Sequence, residues 1–167
     1  IFFTFNSYGQ HVYWNTRTIY PTKMKTINAP NNENQYGKKD VIFNFNIAKY
    51  QPFIIITEGV FDALTFDKYG VATFGKAVSE EQIEMIIKHV PKDTVLFLML
   101  DKDAYEYNVE TASILYKHFP NTYVVPQTDK DANDLGTKKA LELIKNNKIL
   151  ATPEGLNNYL LKQKLLF

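Results

Sequence analysis

Two nearly uninterrupted apolar runs constrain the fold of this chain more than any other feature. FIIIT (53–57) and TVLFLML (94–100) consist almost entirely of β-branched and large apolar residues, which is typical of strands buried on both faces of a sheet. VATF (71–74) and TYVVP (122–126) predict two further strands, and segments with helical spacing lie between them. This alternation predicts an α/β domain with a four-stranded, mostly parallel sheet covered by helices on both faces.

The predicted helices begin and end at recognisable signals. Ser79 and Gln82 have the spacing of a capping box, and Pro91 ends the helix that this box begins. Pro153 suits the first turn of a last helix. Further helices are predicted at residues 105–118, 137–147 and 153–164.

The first 50 residues follow a different pattern. IFFTFN and HVYWNTRTI predict two strands around a turn at residues 7–9, residues 21–40 form a long polar loop, and VIFNF (41–45) predicts another strand. We therefore predict a small β-rich lobe at 1–50, an α/β domain at 51–136 and C-terminal helices at 137–167. Because the chain begins inside an apolar run, we interpret it as part of a longer protein.

Composition excludes several kinds of site and suggests a division of charge. The chain has no cysteine and only three scattered histidines, which excludes disulfides and cysteine-ligated zinc. No apolar run reaches the roughly 18 residues that a membrane span needs, so we expect a cytoplasmic protein with no membrane partner. Residues 1–50 carry a net charge of +4 and residues 51–167 a net charge of −3. The basic N-terminal part would suit contact with a polyanion, and the acidic remainder would suit metal binding. Chance segregation of surface charge would give the same net charges.

Acidic residues follow three of the predicted strands. Glu58 ends the first run, Asp101 and Asp103 follow the second, Asp62 lies one helical turn after Glu58, and Asp129, Asp131 and Asp134 follow the fourth strand. The carboxyl ends of parallel strands meet at one edge of a sheet, so we expect these carboxylates to converge. Helix capping or the helix dipole would explain each acid separately.

Together, the acids favour a metal site. Carboxylates that converge without matching bases repel one another, and a divalent cation is their natural counter-charge. Hard oxygen ligands without thiols favour Mg²⁺ or Mn²⁺, and such a site suits phosphoryl transfer. Neither a Walker A loop nor a G-x-G-x-x-G motif is present.

Four segments resemble the Toprim domain shared by bacterial-type primases, topoisomerases of types IA and II, and some nucleases. They are ITEGVFDAL (56–64), VATFGKAVS (71–79), LMLDKD (98–103) and KDANDLG (130–136). The earlier segments WNTRTI, KTINAP and GKKDVIFNF resemble the region that precedes the Toprim domain in primases. The resemblance implies the RNA-polymerase core of a bacterial-type or phage DNA primase. Such a core makes short RNA primers on single-stranded DNA from nucleoside triphosphates, with Mg²⁺ or Mn²⁺.

The resemblance also implies roles for individual residues. Glu58 matches a metal ligand or general base, and Asp101 and Asp103 match the catalytic metal ligands. Asp62, Asp131 and Asp134 match auxiliary metal-binding acids. Contacts to nucleic acid or nucleotide are implied for Arg17, Lys25, Asn28, Lys38 and Lys39. Lys76 is expected to lie on the surface, with contact to phosphates as the alternative.

One departure and several alternatives accompany the resemblance. Residues 104–106 are Ala-Tyr-Glu, whereas primases usually place a small residue and glycine shortly after the D-x-D pair.

A Toprim nuclease and a non-enzymatic DNA-binding or docking module stay open as alternatives, and a replicative helicase stays open as a partner. The low glycine content and the many Asn, Lys, Ile and Tyr residues suggest an AT-rich genome. Together with the divergence from the family pattern, this suggests a phage source.

Overall fold

The chain forms two β-sheets and seven α-helices within the residues that the computed structural model describes, which are 1–20, 22–23, 26–30 and 35–164. The strands are β1 (Phe2–Phe5), β2 (His11–Arg17), β3 (Thr26–Asn28), β4 (Phe53–Thr57), β5 (Gly70–Ala72), β6 (Val95–Leu98), β7 (Thr122–Val124) and β8 (Ile149–Leu150). The helices are α1 (Phe45–Ala48), α2 (Val60–Leu64), α3 (Glu80–His89), α4 (Tyr105–Tyr116), α5 (Ala132–Leu135), α6 (Thr137–Asn147) and α7 (Pro153–Lys164).

The main sheet has the strand order β5-β4-β6-β7-β8. Strand β4 pairs in parallel with both β5 and β6, and β6 pairs in parallel with β7. The edge strand β8 runs antiparallel to β7. The predicted α/β fold with a mostly parallel sheet is therefore confirmed. The fifth strand was not predicted, because two residues are too few to carry a strand pattern.

Helices cover the main sheet on both faces. Alternate strand residues such as Ile54, Ile56 and Leu98 pack with α3, α4 and α7 on one face. Ile55 and Met99 point to the other face, where they pack with α5 and α6. The central strands are buried on both sides, which explains why their sequences are apolar at successive positions.

Strands β5, β6 and β7 end earlier than the apolar runs predicted, whereas β4 ends at Thr57 as predicted. Strand β6 ends at Leu98 although Met99 and Leu100 are fully buried. Strand β5 ends at Ala72, and Phe74 adopts a left-handed conformation with φ 64°. Glu58 therefore follows its strand directly, whereas the buried residues Met99 and Leu100 separate Asp101 from β6.

The N-terminal sheet has the order β1-β2-β3 and is antiparallel throughout. The hairpin of β1 and β2 confirms the prediction from sequence. Strand β3 lies in a segment predicted as loop, since its three residues are mostly polar and pair with β2 only in the tertiary fold. Phe2 joins this sheet to the rest of the molecule through edge contacts with Phe61, at 5.4 Å between ring centroids, and with Phe43, at 6.2 Å.

The strand predicted at 41–45 is wrong. Phe43 makes only an isolated antiparallel bridge to Ala72, and helix α1 begins at Phe45. Asn44 turns the chain with φ 61°, and its side-chain amide donates to the carbonyl oxygens of Asp67 and Gly70 at 3.0 and 2.9 Å. Asparagine tolerates this conformation better than most residues, so it interrupts an otherwise strand-like segment.

The predicted division into three parts stays a prediction. Phe45 and Ala48, which precede residue 51, lie in the same core as β4, and α7 packs on that core as well. Helix α3 begins with the predicted capping box, in which Ser79 and Gln82 hydrogen-bond reciprocally.

A hydrophobic helix long enough to cross a membrane is not found in the part of the chain that the structure describes.

Candidate active site

The ends of β4 and β6 place Glu58 and Asp101 side by side. Ile56 lies opposite Leu98 in the parallel register, and the Met99 amide donates to the Ile56 carbonyl oxygen at 2.8 Å. The Phe74 amide donates to the Glu58 carbonyl oxygen at 3.0 Å, which holds the backbone where the strand ends. Both carboxyl groups line the same cleft.

Helices α2 and α5 bring Asp62 and Asp131 to the same edge. Asp62 lies in the first turn of α2 and is buried, and its Oδ1 accepts a hydrogen bond of 3.1 Å from the Asn133 amide in α5. Asp131 caps the start of α5 by accepting a hydrogen bond of 2.7 Å from the Asp134 amide. The expected convergence of Glu58, Asp62, Asp101 and Asp131 is therefore observed.

Burial and mutual repulsion make these carboxyl groups hard to ionise. Burial raises the pKa of Glu58 to about 7, and Asp101 adds to the rise while Lys76 opposes it. Burial also raises the pKa of Asp62 to about 6; Asp131 adds to this, and the Asn133 amide opposes it. The pKa of Asp101 is raised by burial first, and then by Asp103 and Asp131.

The remaining predicted acids lie beside this group in an open depression. Asp101 and Asp131 line the depression of about 390 Å³ together with Asp103 and Asp134. Asp103 is exposed and forms an ion pair with Lys76, and Lys102 pairs with Asp129 at 2.9 Å. Sequence reasoning placed Lys76 on the surface, where it does lie, but did not predict its contact with Asp103.

A cleft of about 390 Å³ separates the acids from the N-terminal sheet. Arg17 and Asn28 line one wall of this cleft, and Glu58, Asp62 and Asp101 line the opposite side. Arg17 donates a hydrogen bond of 3.3 Å to the Thr26 hydroxyl on β3. The structure thus brings two of the five predicted nucleic-acid residues to the acidic edge.

Asn15 also lines this cleft and was missed by sequence reasoning. Its side chain is 95% buried, as its relative exposure is 5%, and its Oδ1 has no hydrogen-bond partner. Asn15 lies directly opposite Asn28 in the register of β2 and β3. Because side chains alternate along a strand, the two-residue spacing between Asn15 and Arg17 could have identified it.

Lys38 and Lys39 lie elsewhere. They line a neighbouring cavity of about 600 Å³, which they share with Lys76 and the start of α3. Their backbone is held by α3: the Gln82 side chain donates to the Lys38 carbonyl oxygen at 3.1 Å, and the Ser79 hydroxyl donates to that of Lys39 at 2.6 Å. Lys25 lies outside the described residues.

The acidic edge fits a divalent cation that is shared with a ligand. Within the described ranges, no three acidic or histidine side chains are grouped tightly enough to enclose an ion by themselves. Mg²⁺, however, is usually held by one or two carboxylates, with water and substrate phosphates completing its shell. Glu58 Oε2 is buried without a hydrogen-bond partner, and the neighbouring Asp101 has a raised pKa. A divalent cation bound beside these two carboxyl groups would stabilise their ionised forms.

Comparisons with known proteins show which sequences and folds this chain is similar to. Residues 55–136 match the Toprim-like family. The chain is 30% identical over 143 residues to the DNA primase of Thermotoga maritima, a match that covers 80% of this chain and 25% of that protein. This chain thus spans only about a quarter of its curated relative.

Solved structures show the same fold. A DNA primase domain from Pseudomonas aeruginosa matches with a TM-score of 0.73 at 20% identity, over 99% of this chain and 54% of that one. A DnaG primase catalytic domain bound to single-stranded DNA matches with a TM-score of 0.75 at 14% identity, over 99% of this chain and 55% of that one. The chain therefore has the fold of primase catalytic cores, with a Toprim-like domain at 55–136.

Proposed function

We propose that this chain, a member of the Toprim-like family with the fold of primase catalytic cores, is the RNA-polymerase core of a DNA primase. Its reaction is template-directed synthesis of short RNA primers on single-stranded DNA by metal-dependent nucleotidyl transfer. The observation that carries the proposal is the pair of half-buried carboxyl groups, Glu58 and Asp101, which face a cleft whose other wall holds Arg17 and Asn28.

The carboxylates would hold the metal. We assign Glu58, Asp101 and Asp103 as catalytic ligands and Asp62, Asp131 and Asp134 as auxiliary acids. Bound Mg²⁺ or Mn²⁺ would supply charge neutralisation and polarisation at the reacting phosphate. As the alternative to a metal ligand, Glu58 would act as a general base that accepts a proton from the primer 3′-hydroxyl, a role that its raised pKa in the metal-free chain suits.

The cleft wall would bind the nucleotide and the template. The guanidinium of Arg17 presents a planar fork of donors that matches a phosphate. The amides of Asn15 and Asn28 provide both donors and acceptors for a sugar hydroxyl or a base edge. Phe61 and Phe74 line the same cleft and give it an apolar surface. This combination suits a nucleoside triphosphate better than a simple anion.

Lys38 and Lys39 would contact template phosphates beside the cleft, and we extend the same role to Lys25. Binding of single-stranded DNA is supported by the matching primase domain bound to single-stranded DNA. A replicative helicase is a further proposed partner. The activity places the protein in the cytoplasm, which is the host cytoplasm for a phage-encoded protein.

Incorporation of labelled ribonucleotides on short single-stranded DNA, with Mg²⁺ or Mn²⁺, tests the proposal. We expect metal-dependent oligoribonucleotides from the wild type and none from Asp101→Asn. Asp93→Asn is the matched control, because Asp93 is exposed and lies just before β6, at the opposite end of that strand from Asp101. We expect it to retain activity.

Other outcomes would identify the alternatives. Nicking of DNA without added triphosphates, lost in Asp101→Asn, would indicate a Toprim nuclease. DNA binding with neither synthesis nor nicking, and without bound metal, would indicate a docking module.

A further inference from the structure

Lys76 lies on a loop that is fixed to the acidic edge. The loop follows β5, and its Thr73 amide donates to the Thr57 carbonyl oxygen at 3.1 Å, while the Phe74 amide donates to that of Glu58 at 3.0 Å. Phe74 has the left-handed φ of 64°, an unfavourable conformation that persists only where surrounding contacts enforce it. These contacts direct the loop, and with it Lys76, toward the end of β6.

The ammonium group of Lys76 contacts the carboxylate of Asp103. Its positive charge also acts on Glu58 and Asp101, where it favours the ionised carboxylates. Lys76 thus supplies local counter-charge to all three of the acids that we assign as catalytic ligands.

We propose that Lys76 is an internal counter-cation of the acidic edge, which competes with divalent metal for Asp103 and contacts nucleotide phosphates after the metal displaces it. Both parts rest on the proposed function, because it is there that Asp103 is assigned as a metal ligand.

The ion pair of Lys76 and Asp103 can readily be replaced by a bound metal ion. The side chains of Lys76 and Asp103 are 48% and 64% exposed, and an exposed ion pair of this kind contributes little to stability. A divalent cation can therefore take Asp103 from Lys76 at small cost. A lysine and a divalent cation at the same carboxylate repel each other, so each lowers the affinity of the other.

The displaced ammonium has a second environment close by. Lys76 lines the cavity of about 600 Å³ together with Lys38 and Lys39. Glu80, Glu81 and Glu110 line the same cavity, so phosphate binding there would depend on direct contact with a lysine ammonium rather than on an overall positive charge. The movement of Lys76 would add such an ammonium to this cavity when metal arrives.

Binding of Mn²⁺ to the wild type and to Lys76→Met, measured by calorimetry at low ionic strength, tests the competition. Removal of the competing charge should tighten Mn²⁺ binding by roughly three- to tenfold. Lys92→Met is the control, because Lys92 precedes β6 at the opposite edge of the sheet, where it donates to the Ile87 carbonyl oxygen. Its affinity for Mn²⁺ should change by less than about twofold. Unchanged or weaker binding by Lys76→Met would overturn the competition.

Binding of ATP with Mn²⁺ present tests the second part. Lys76→Met should bind ATP several-fold more weakly than the wild type, and Lys76→Arg should restore most of the affinity. Equal ATP affinity in Lys76→Met and wild type would overturn the phosphate contact. If the wild type binds Mn²⁺ and makes RNA while Lys76→Met has wild-type affinity for both ligands, only the inference about Lys76 fails. If the wild type binds no Mn²⁺, the proposed function fails and the competition fails with it.

Discussion

Glu58 and Asp101 follow the ends of the adjacent parallel strands β4 and β6, and both side chains line the same cleft. Two neighbouring carboxyl groups are most stable when they share a proton or a cation. The half-buried position of the pair strengthens this requirement, and the pKa of Glu58 is raised to about 7 as a result. Proton binding, metal binding and folding stability are therefore coupled through Glu58 and Asp101.

The stability of the metal-free protein should fall as pH rises from about 5 to about 8. Glu58 and Asp62 have pKa values of about 7 and about 6 in the folded chain, above their ordinary values of 4.5 and 3.8. The folded state thus binds more protons than the unfolded state in this window, and the stabilisation is lost as pH rises through the folded pKa values. Because both groups are partly solvated, we expect a decrease in Tm of only roughly 3–8 °C.

Thermal unfolding in a metal chelator measures this decrease. Glu58→Gln is the comparison variant, and its Tm should depend less on pH than that of the wild type. Saturating Mn²⁺ should restore the Tm at high pH. A wild-type Tm that rises with pH, or a Glu58→Gln profile as steep as the wild type, would contradict the assignment.

Asp101→Asn should remove metal binding while it stabilises the metal-free protein. Loss of one negative charge relieves the repulsion of Glu58, Asp103 and Asp131, so we expect a gain of roughly 0.5–2 kcal/mol in the free energy of unfolding at about pH 8. Calorimetric titration with Mn²⁺ and denaturant unfolding without metal measure the two effects. Asp93→Asn, which changes an exposed acid at the opposite end of β6, should show neither effect. A destabilised Asp101→Asn would indicate a structural role for the carboxylate.

Gly59→Ala should disturb Asp62. A Cβ atom at Gly59 would lie 2.8 Å from Asp62 Oδ2, which is closer than real Cβ contacts allow. The carboxylate must move, and its hydrogen bond from the Asn133 amide must lengthen or break. We expect primer synthesis to fall about tenfold or more, with a loss of stability of only about 1 kcal/mol. Gly75→Ala is the control, because a Cβ atom there would meet nothing within 4 Å, and its Tm should stay unchanged. Equal primer synthesis by Gly59→Ala and the wild type would argue against a role for Asp62.

Asn15→Leu should weaken nucleotide binding without loss of stability. Asn15 Oδ1 is buried and has no hydrogen-bond partner, so its replacement removes an unfavourable group from the folded protein. The ligand would lose a hydrogen bond, and the dissociation constant for ATP with Mn²⁺ should rise roughly five- to tenfold. Thr16→Ala changes the opposite face of β2 and should leave ATP affinity unaltered. A lower Tm with unchanged affinity would make Asn15 a structural residue.

Arg17→Gln should reduce the salt dependence of DNA binding. A contact to one phosphate contributes about −0.7 to the slope of log affinity against log salt for single strands. Titration of a fluorescent oligonucleotide at several salt concentrations should show a smaller slope by about that amount. Lys145→Gln, at the end of α6, should keep the wild-type slope. An unchanged slope in Arg17→Gln would remove Arg17 from the DNA contacts.

Much of the site was predictable because strand ends determine it. A parallel sheet places all carboxyl ends at one edge, so Glu58 and Asp101 could be placed together from their positions after two apolar runs alone. The capping box at Ser79 was equally local, since its two partners are three residues apart. Such features depend on short spacings along the chain.

Features that depend on tertiary contacts were not predictable. Strand β3 exists through its pairing with β2, and β8 through its pairing with β7. The segment 41–45 has an apolar pattern like that of a strand, yet Asn44 turns the chain toward carbonyl groups more than 20 residues away along the chain. The contact of Lys76 with Asp103 joins a loop after β5 to a short 3-10 helix after β6, and no spacing in the sequence encodes it.

Extension of a short RNA annealed to single-stranded DNA tests the central claim most directly. The four labelled ribonucleotides would be offered one at a time with Mn²⁺, on templates that differ only in the next base. We predict that the wild type adds only the nucleotide complementary to that base, and that Asp101→Asn adds none. Addition that ignores the template, or no addition by a wild-type protein that binds both Mn²⁺ and the annealed substrate, would contradict the assignment of this chain as a primase core.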